Sequence, residues 1–276
     1  MLSYLHGYHA GNFADVHKHL LLGRVLAALA RKPAPFAVLD VHAGEGLYDL
    51  NGPEARALGE ADGGIRRFMD LPGPPAAADA YRAVIARFNS GAGVSLYPGS
   101  PLIAREAMRE NDRLVLVDLH PRAEAALRRL FAGDGCVHIH RRDALEALVG
   151  LVPPPERRGL AVVDPAYEVK DEYRTVPLAV ERAFRRWGTG HFLVWYPLLP
   201  EGRHEALVEA LTAGPYPGLL FSEWRHRPCG AVRGLYGSGV ALVNPPWGVA
   251  EEAEVLGRWL EAGGFGEGYR QWGRPT

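Results

Sequence analysis

Leu160-Ala161-Val162-Val163-Asp164-Pro165-Ala166-Tyr167 decides the fold: an apolar run leads straight into an acid, a proline and an aromatic ring. A run this short and uniformly apolar suits a strand covered on both faces, so the polar residues that end it stand at the strand's carboxyl edge. Six further runs share this character: Phe36-Val41, Leu114-Val117, Val137-His140, His191-Trp195, Leu219-Glu223 and Val240-Asn244. Helical stretches separate most of them, among them Pro121-Phe131, Ala144-Leu151 and Val176-Trp187. This alternation predicts an α/β chain with a seven-stranded, mainly parallel, doubly wound sheet. The last two runs are joined by a long loop without a good helix, which predicts an antiparallel hairpin at the sheet's end.

About seventy residues separate the first two runs, where a plain strand-helix-strand unit needs roughly thirty. Within Tyr48-Gly93 lie Gly63-Gly64, the breaker cluster Pro72-Gly73-Pro74-Pro75 and two helix-like pieces around Ile65-Leu71 and Ala76-Phe88. Residues 48–93 are therefore expected to form a small inserted helical subdomain, the main domain comprising 1–47 and 94–276. Ahead of the sheet, Asp15-Arg31 carries Val16, Leu20, Val25, Leu26 and Leu29, which predicts an amphipathic helix.

The chain has 276 residues, 47% hydrophobic and 23% charged, the profile of a soluble globular protein that can bury a substantial core. A net charge of −1 argues against wholesale wrapping around nucleic acid and leaves a local basic face open. All basic residues except Lys18, Lys32 and Lys170 are arginines. Arg225, Arg227 and Arg233 fall in a Gly-rich loop between the last two runs, where they could grip phosphates. Cys136 and Cys229 form no CxxC pair, which argues against a disulfide framework and fits a reducing cytoplasm. The polar N-terminus is no secretory signal, and no apolar run is long enough to span a bilayer, so no membrane partner is expected. His6, His9, His17 and His19 invite a metal reading, but no spacing such as HExxH accompanies them and no metal is expected.

Chemistry gathers at the strand ends. The first run closes in Asp40-Val41-His42-Ala43-Gly44-Glu45-Gly46, whose glycines let the backbone approach a ligand. Asp118 ends the second run, where a carboxylate could accept both hydroxyls of a ribose, and Asp143 follows the third, where it could meet an adenine amino group. Either acid singly also reads as a turn or helix cap. Asp164-Pro165-Ala166-Tyr167 meets a specific chemical demand. An exocyclic amino nitrogen on a base has its lone pair delocalised into the ring, and it becomes nucleophilic only when acceptors hold its hydrogens. Asp164 can be one acceptor and the Pro165 carbonyl another, with Tyr167 stacking on a base swung out of its helix. Taken alone, the tetrapeptide does not choose between DNA, RNA and protein amides.

The sequence resembles the 23S ribosomal RNA adenine-N6 methyltransferase J family over nearly its whole length. The matching blocks are Met1-Leu2-Ser3-Tyr4 with His9-Ala10-Gly11-Asn12, Ala14-Asp15 and Lys18-His19, His42-Ala43-Gly44, Tyr97-Pro98-Gly99-Ser100-Pro101, Asp164-Pro165-x-Tyr167-Glu168, Trp195-Tyr196-Pro197 and Asn244-Pro245-Pro246-Trp247. The resemblance implies a Rossmann-like methyltransferase that uses S-adenosyl-L-methionine to make N6-methyladenosine in domain V of protein-free 23S rRNA during ribosome assembly, without an obligate protein partner. It implies cofactor contacts at His19, His42, Gly44, Ser100, Asp118, Asp143, Ala144 and Asp164. It also implies RNA contacts at Tyr4, His6 and Lys18, with residues 1–31 serving both sites. Two positions depart from the family: Ala166 stands where a second proline is usual, and Asp118 is shorter than the usual Glu. A nicotinamide dehydrogenase would need an acid about twenty residues past the glycine loop, where this chain reads as inserted helix. A non-catalytic RNA-binding assembly factor, or an enzyme acting on DNA adenine, stays open.

Overall fold

Ala37–Asp40 forms β1, and all of its residues are buried, as a strand covered on both faces requires. The computed structural model describes residues 5–91, 93–230 and 234–274. Before β1 comes α1 (Phe13–Ala30); after it come β2 (Leu47–Asp49), α2 (Pro53–Leu58), α3 (Arg67–Asp70), α4 (Ala76–Arg87), β3 (Leu96–Pro98) and α5 (Ser100–Ala107). The chain then alternates through β4 (Arg113–Val117), α6 (Pro121–Leu130), β5 (Val137–His140), α7 (Ala144–Gly150), β6 (Gly159–Val163), α8 (Glu172–Arg186) and β7 (His191–Leu198). It ends with α9 (His204–Ala213), β8 (Leu219–Arg225), β9 (Gly237–Val243), α10 (Val249–Ala262) and β10 (Gly268–Arg274).

The main sheet has the order β10-β8-β9-β7-β6-β1-β4-β5. Neighbours from β5 through β7 pair in parallel, while β9, β8 and β10 pair antiparallel. From β1 the chain winds outward to β4 and β5, then returns to β6 on β1's other flank. That reversal opens a crevice at the carboxyl ends of β1, β4 and β6, the place where open α/β sheets bind ligands.

The sheet thus has eight strands where seven are expected. The additional one, β10, contains two glycines and two arginines, and Tyr269 is its one buried residue, because the strand is an edge paired with β8 alone among the described strands. The β8–β9 hairpin is antiparallel as expected, but β10 lies outside it, so it is not the end of the sheet. α1 also differs from the amphipathic expectation: most of its residues are buried, including Asp15, His17, Lys18 and His19. Its polar side chains find partners inside, so the interior tolerates them. His17 shows how, with Nδ1 2.9 Å from Ser238 Oγ and Nε2 2.9 Å from Ser222 Oγ. Burial pushes this imidazole down to about 3, leaving it neutral.

Across the ends of the interval 48–93, β2 (Leu47–Asp49) pairs with β3 (Leu96–Pro98), and between them α2, a π-helical turn at Asp62–Arg66, α3 and α4 follow one another. Their buried Ile65, Phe68, Tyr81 and Ile85 join the same apolar cluster as Leu20, Leu22 and Leu26 of α1. Because Leu26 is fully buried there, Leu26→Ala is expected to destabilise the protein by about 2–5 kcal/mol. Urea denaturation checks this; a loss below about 1 kcal/mol would mean that the cluster closes over the cavity.

Candidate active site

The glycine loop after β1 is fastened to the next strand. Gly44 has φ +61°, and a Cβ there would lie 2.3 Å from the Tyr48 hydroxyl, so a larger residue would be strained and obstructed. The Gly44 N–H donates to Asp118 Oδ2 at 2.9 Å, and the His120 N–H donates to Asp118 Oδ1 at 2.8 Å. Each oxygen keeps a lone pair for a ligand hydroxyl. Burial nevertheless raises this carboxyl above its usual range. Asp143 is the N-cap of α7, its Oδ1 accepting the Glu146 N–H at 2.9 Å. The structural role open to this acid is therefore real, and the residue borders the ligand cavity as well.

β6 ends at Val163 and delivers Asp164 to the neighbouring edge of the crevice. The Asp164 N–H donates to His42 Nδ1 at 3.1 Å. Burial pushes His42 down to about 4, so at neutral pH the ring is uncharged; accepting at Nδ1, it carries its proton on Nε2. Lys18 Nζ donates to Asp164 Oδ2 and lies 2.9 Å from Asp15 Oδ1. Burial opposes charge on this ammonium, but Asp15 and Asp164 more than offset that and hold it protonated. Burial likewise pushes Asp164 up, against the pull of Lys18. His19 places Nδ1 2.6 Å from the Tyr97 hydroxyl, while its buried Nε2 has no hydrogen-bond partner among the described residues.

One cavity of about 280 Å³ brings these residues together. It is lined by His6, Lys18, His19, His42, Gly44, Ser100, Asp118, Asp143, Ala144, Asp164 and Pro165. Tyr4 and Arg233 lie outside the described residues. Tyr167 is placed apart from the cavity lining: its ring is 6% exposed, packs 4.6 Å from the Tyr173 ring, and its hydroxyl donates to the Trp195 carbonyl at 2.8 Å. As placed, that ring does not offer a face to a base. Lys18, expected to meet RNA, lines the cavity with its side chain only 5% exposed and held between two carboxylates. Tyr48 and Glu172 border the cavity and carry no signature that marks them in sequence, while Asp15, which falls in a block matching the family but with no role implied for it, supports the site through Lys18. Among the described residues no group of three or more His, Cys, Asp or Glu side chains is arranged to hold a metal, and no helix is long and apolar enough to cross a membrane.

A glycine loop at the sheet's switch point, acids at the next two strand tips and an Asp-Pro at the fourth define a Rossmann-like S-adenosylmethionine-dependent methyltransferase. Residues 33–271 match the family model described as "Ribosomal RNA large subunit methyltransferase D, RlmJ", and the chain belongs to that family. It is 37% identical over 262 residues to ribosomal RNA large subunit methyltransferase J of Escherichia coli (strain K12), covering 95% of this chain and 94% of the relative. The enzyme of the same name from Haemophilus influenzae is 36% identical over 273 residues, covering 99% and 97%. A crystal structure of a Legionella pneumophila protein superposes with a TM-score of 0.88 at 32% identity, covering 97% of this chain and 98% of that one. The chain is thus an rRNA methyltransferase. Its site suits the cofactor: His19, whose buried Nε2 has no hydrogen-bond partner among the described residues, lines a cavity flanked by carboxylates with lone pairs to spare.

Proposed function

We propose that the protein methylates the exocyclic N6 of a specific adenine in domain V of 23S rRNA, acting in the cytoplasm on protein-free RNA during ribosome assembly, with no obligate protein partner. The observation that carries this reading is Asp164, whose carboxylate reaches the cavity at a strand tip with Pro165 beside it. S-adenosylmethionine, when bound, supplies an electrophilic methyl group. Asp118 would hold its ribose, Asp143 and Ala144 its adenine, and His19, His42, Gly44 and Ser100 the rest of the molecule. The chain's own catalysis consists of positioning and electrostatics. Asp164 and the Pro165 carbonyl accept the two amino hydrogens, restoring lone-pair character to N6, and Asp164 takes the proton that leaves. His42 steadies Asp164 through its backbone N–H. Tyr4 and His6 would meet the RNA. Tyr167 would reach the base only by leaving its contacts with Tyr173 and Trp195, and Lys18 is better suited to Asp164 than to phosphate.

Isotopically labelled S-adenosylmethionine and protein-free 23S rRNA, followed by nucleoside mass spectrometry, should yield labelled N6-methyladenosine. Label in a pyrimidine, or in DNA alone, would overturn the assignment. A second test concerns the cofactor. Asp118→Ala removes a charged acceptor and leaves the Gly44 and His120 N–H groups without it, so calorimetry should show S-adenosylmethionine binding weakened by about 10–100-fold. Unchanged affinity would take Asp118 out of the cofactor site.

A further inference from the structure

We infer that Asp15 is a positioning residue for methyl transfer: it shares the Lys18 ammonium with Asp164 and so sets how strongly that cation weakens the Asp164 acceptor. The inference rests on the reading of Asp164 as the group that accepts the amino hydrogen. An acid in the first turn of a helix is ordinarily a solvated side chain that meets the helix dipole. Asp15 is instead 2% exposed. Its Oδ1 lies 2.9 Å from Lys18 Nζ, and its Oδ2 accepts the Gly11 N–H at 2.9 Å and lies 3.1 Å from His6 Nε2. Its own N–H donates to the N-cap Asn12 at 2.9 Å. Three contacts thus fix one buried carboxylate, and an apolar residue would occupy such a place at less desolvation cost.

The spacing makes the arrangement specific to α1. Asp15 and Lys18 are one turn apart and share a helix face, so α1 carries the ammonium and one of its two carboxylates as a unit to the tip of β6. Lys18 and His19 face Asp15 from α1, His6 and His9 from the N-terminal segment, Glu60 from just past α2, the Tyr81 and Tyr97 hydroxyls from α4 and β3, and Asp164 from beyond Lys18. Asp164 is faced by Lys18, His6 and Asp15, with Asp40 at the end of β1 adding a further like charge. A carboxylate with an ammonium to itself is a poor acceptor for an amino hydrogen. Shared with a second carboxylate, the same ammonium still orients Asp164 while drawing less on its lone pairs. Removing the negative charge at Asp15 therefore lowers the pH at which Asp164 ionises and weakens it as an acceptor.

The test is a single-turnover pH–rate profile for the full-length protein with S-adenosylmethionine and protein-free 23S rRNA, comparing wild type with Asp15→Asn, Asp15→Ser, Asp15→Glu and Asp164→Asn. Asp15→Asn and Asp15→Ser are expected to lower the plateau by about tenfold, part of a general-base contribution of about 10²–10⁴. They should also move the acid limb down by about one pH unit. Asp15→Glu restores most of both. An acid limb unmoved in the folded variants overturns the proposal, as does failure of both neutral variants to fold, since Asp15 would then serve only the start of the helix. A normal rate in Asp164→Asn sinks the reading of Asp164 itself. An inactive Asp164→Asn beside an unmoved limb in Asp15→Asn sinks this proposal alone.

Discussion

Asp164→Asn is expected to slow methyl transfer by about 10²–10⁴-fold while the protein still folds and binds S-adenosylmethionine. The substitution preserves shape and the backbone N–H that reaches His42. Lys18 stays paired with Asp15, so no buried cation is left alone. The acceptor is what disappears. Asn can offer its one oxygen either to the Lys18 ammonium or to the amino group of the base, and the ammonium, buried and fixed beside it, takes it. The amide nitrogen then faces the substrate as a donor, opposing an amino hydrogen where catalysis needs an acceptor. Single-turnover methylation at saturating cofactor, with a thermal melt alongside, decides the matter. A rate within about threefold of wild type would remove Asp164 from the chemistry and leave catalysis to positioning by the remaining groups.

The parts of the fold legible in the sequence are those whose burial matches their composition. β1 and β6 are buried throughout and β4 for most of its length, all three read as short apolar runs, and Asp118 and Asp164, just beyond β4 and β6, line the crevice. β10 is illegible for the opposite reason: a largely exposed edge strand needs no apolar run, so Gly268-Tyr269-Arg270-Gln271-Trp272-Gly273-Arg274 carries no signal of period. α1 misleads in a third way. Hydrophobicity marks what usually lies inside, yet here Asp15, His17, Lys18 and His19 are inside because each meets a partner, most of them contributed by distant sequence. No local pattern encodes such pairing.

The same limit applies to the site. Gly44, Asp118, Asp143 and Asp164 follow apolar runs in order, and a doubly wound sheet brings such ends to one edge. That topology does not say which way a ring points. Tyr167 sits at φ +54°, a backbone conformation rare for an aromatic residue, and the turn carries its ring onto Tyr173. Nor does it say which cations are exposed. Lysine is usually solvated, and only the carboxylates of Asp15 and Asp164 on either side of its Nζ account for Lys18 in the interior.

Lys18→Met is the second substitution with a large expected effect, and it separates a buried pairing role from a surface one. Methionine fills much of the lysine volume but leaves Asp15 and Asp164 buried together without their shared cation, at an expected cost of about 3–5 kcal/mol at about pH 8. The sign of the pH dependence is diagnostic. In the wild type, burial tends to raise Asp15, but Lys18 and His6 hold it well below the usual carboxylate range. Asp15 therefore contributes stability that is present above its unfolded pKa and lost as pH falls through the depressed folded value. Without Lys18, burial and mutual repulsion push the two carboxyls above their unfolded values, so the folded variant takes up a proton that the unfolded chain does not. Its handicap must then shrink as pH falls toward the unfolded carboxyl range and grow as pH rises. Urea denaturation should accordingly show a smaller gap between variant and wild type at about pH 5.5 than at about pH 8, with methylation at about pH 8 lower by about a hundredfold. A gap equal at both pH values would mean that the two carboxylates do not depend on Lys18 for their charge, and a solvated lysine meeting RNA phosphate would predict that equality together with a rate loss that high salt reproduces in the wild type.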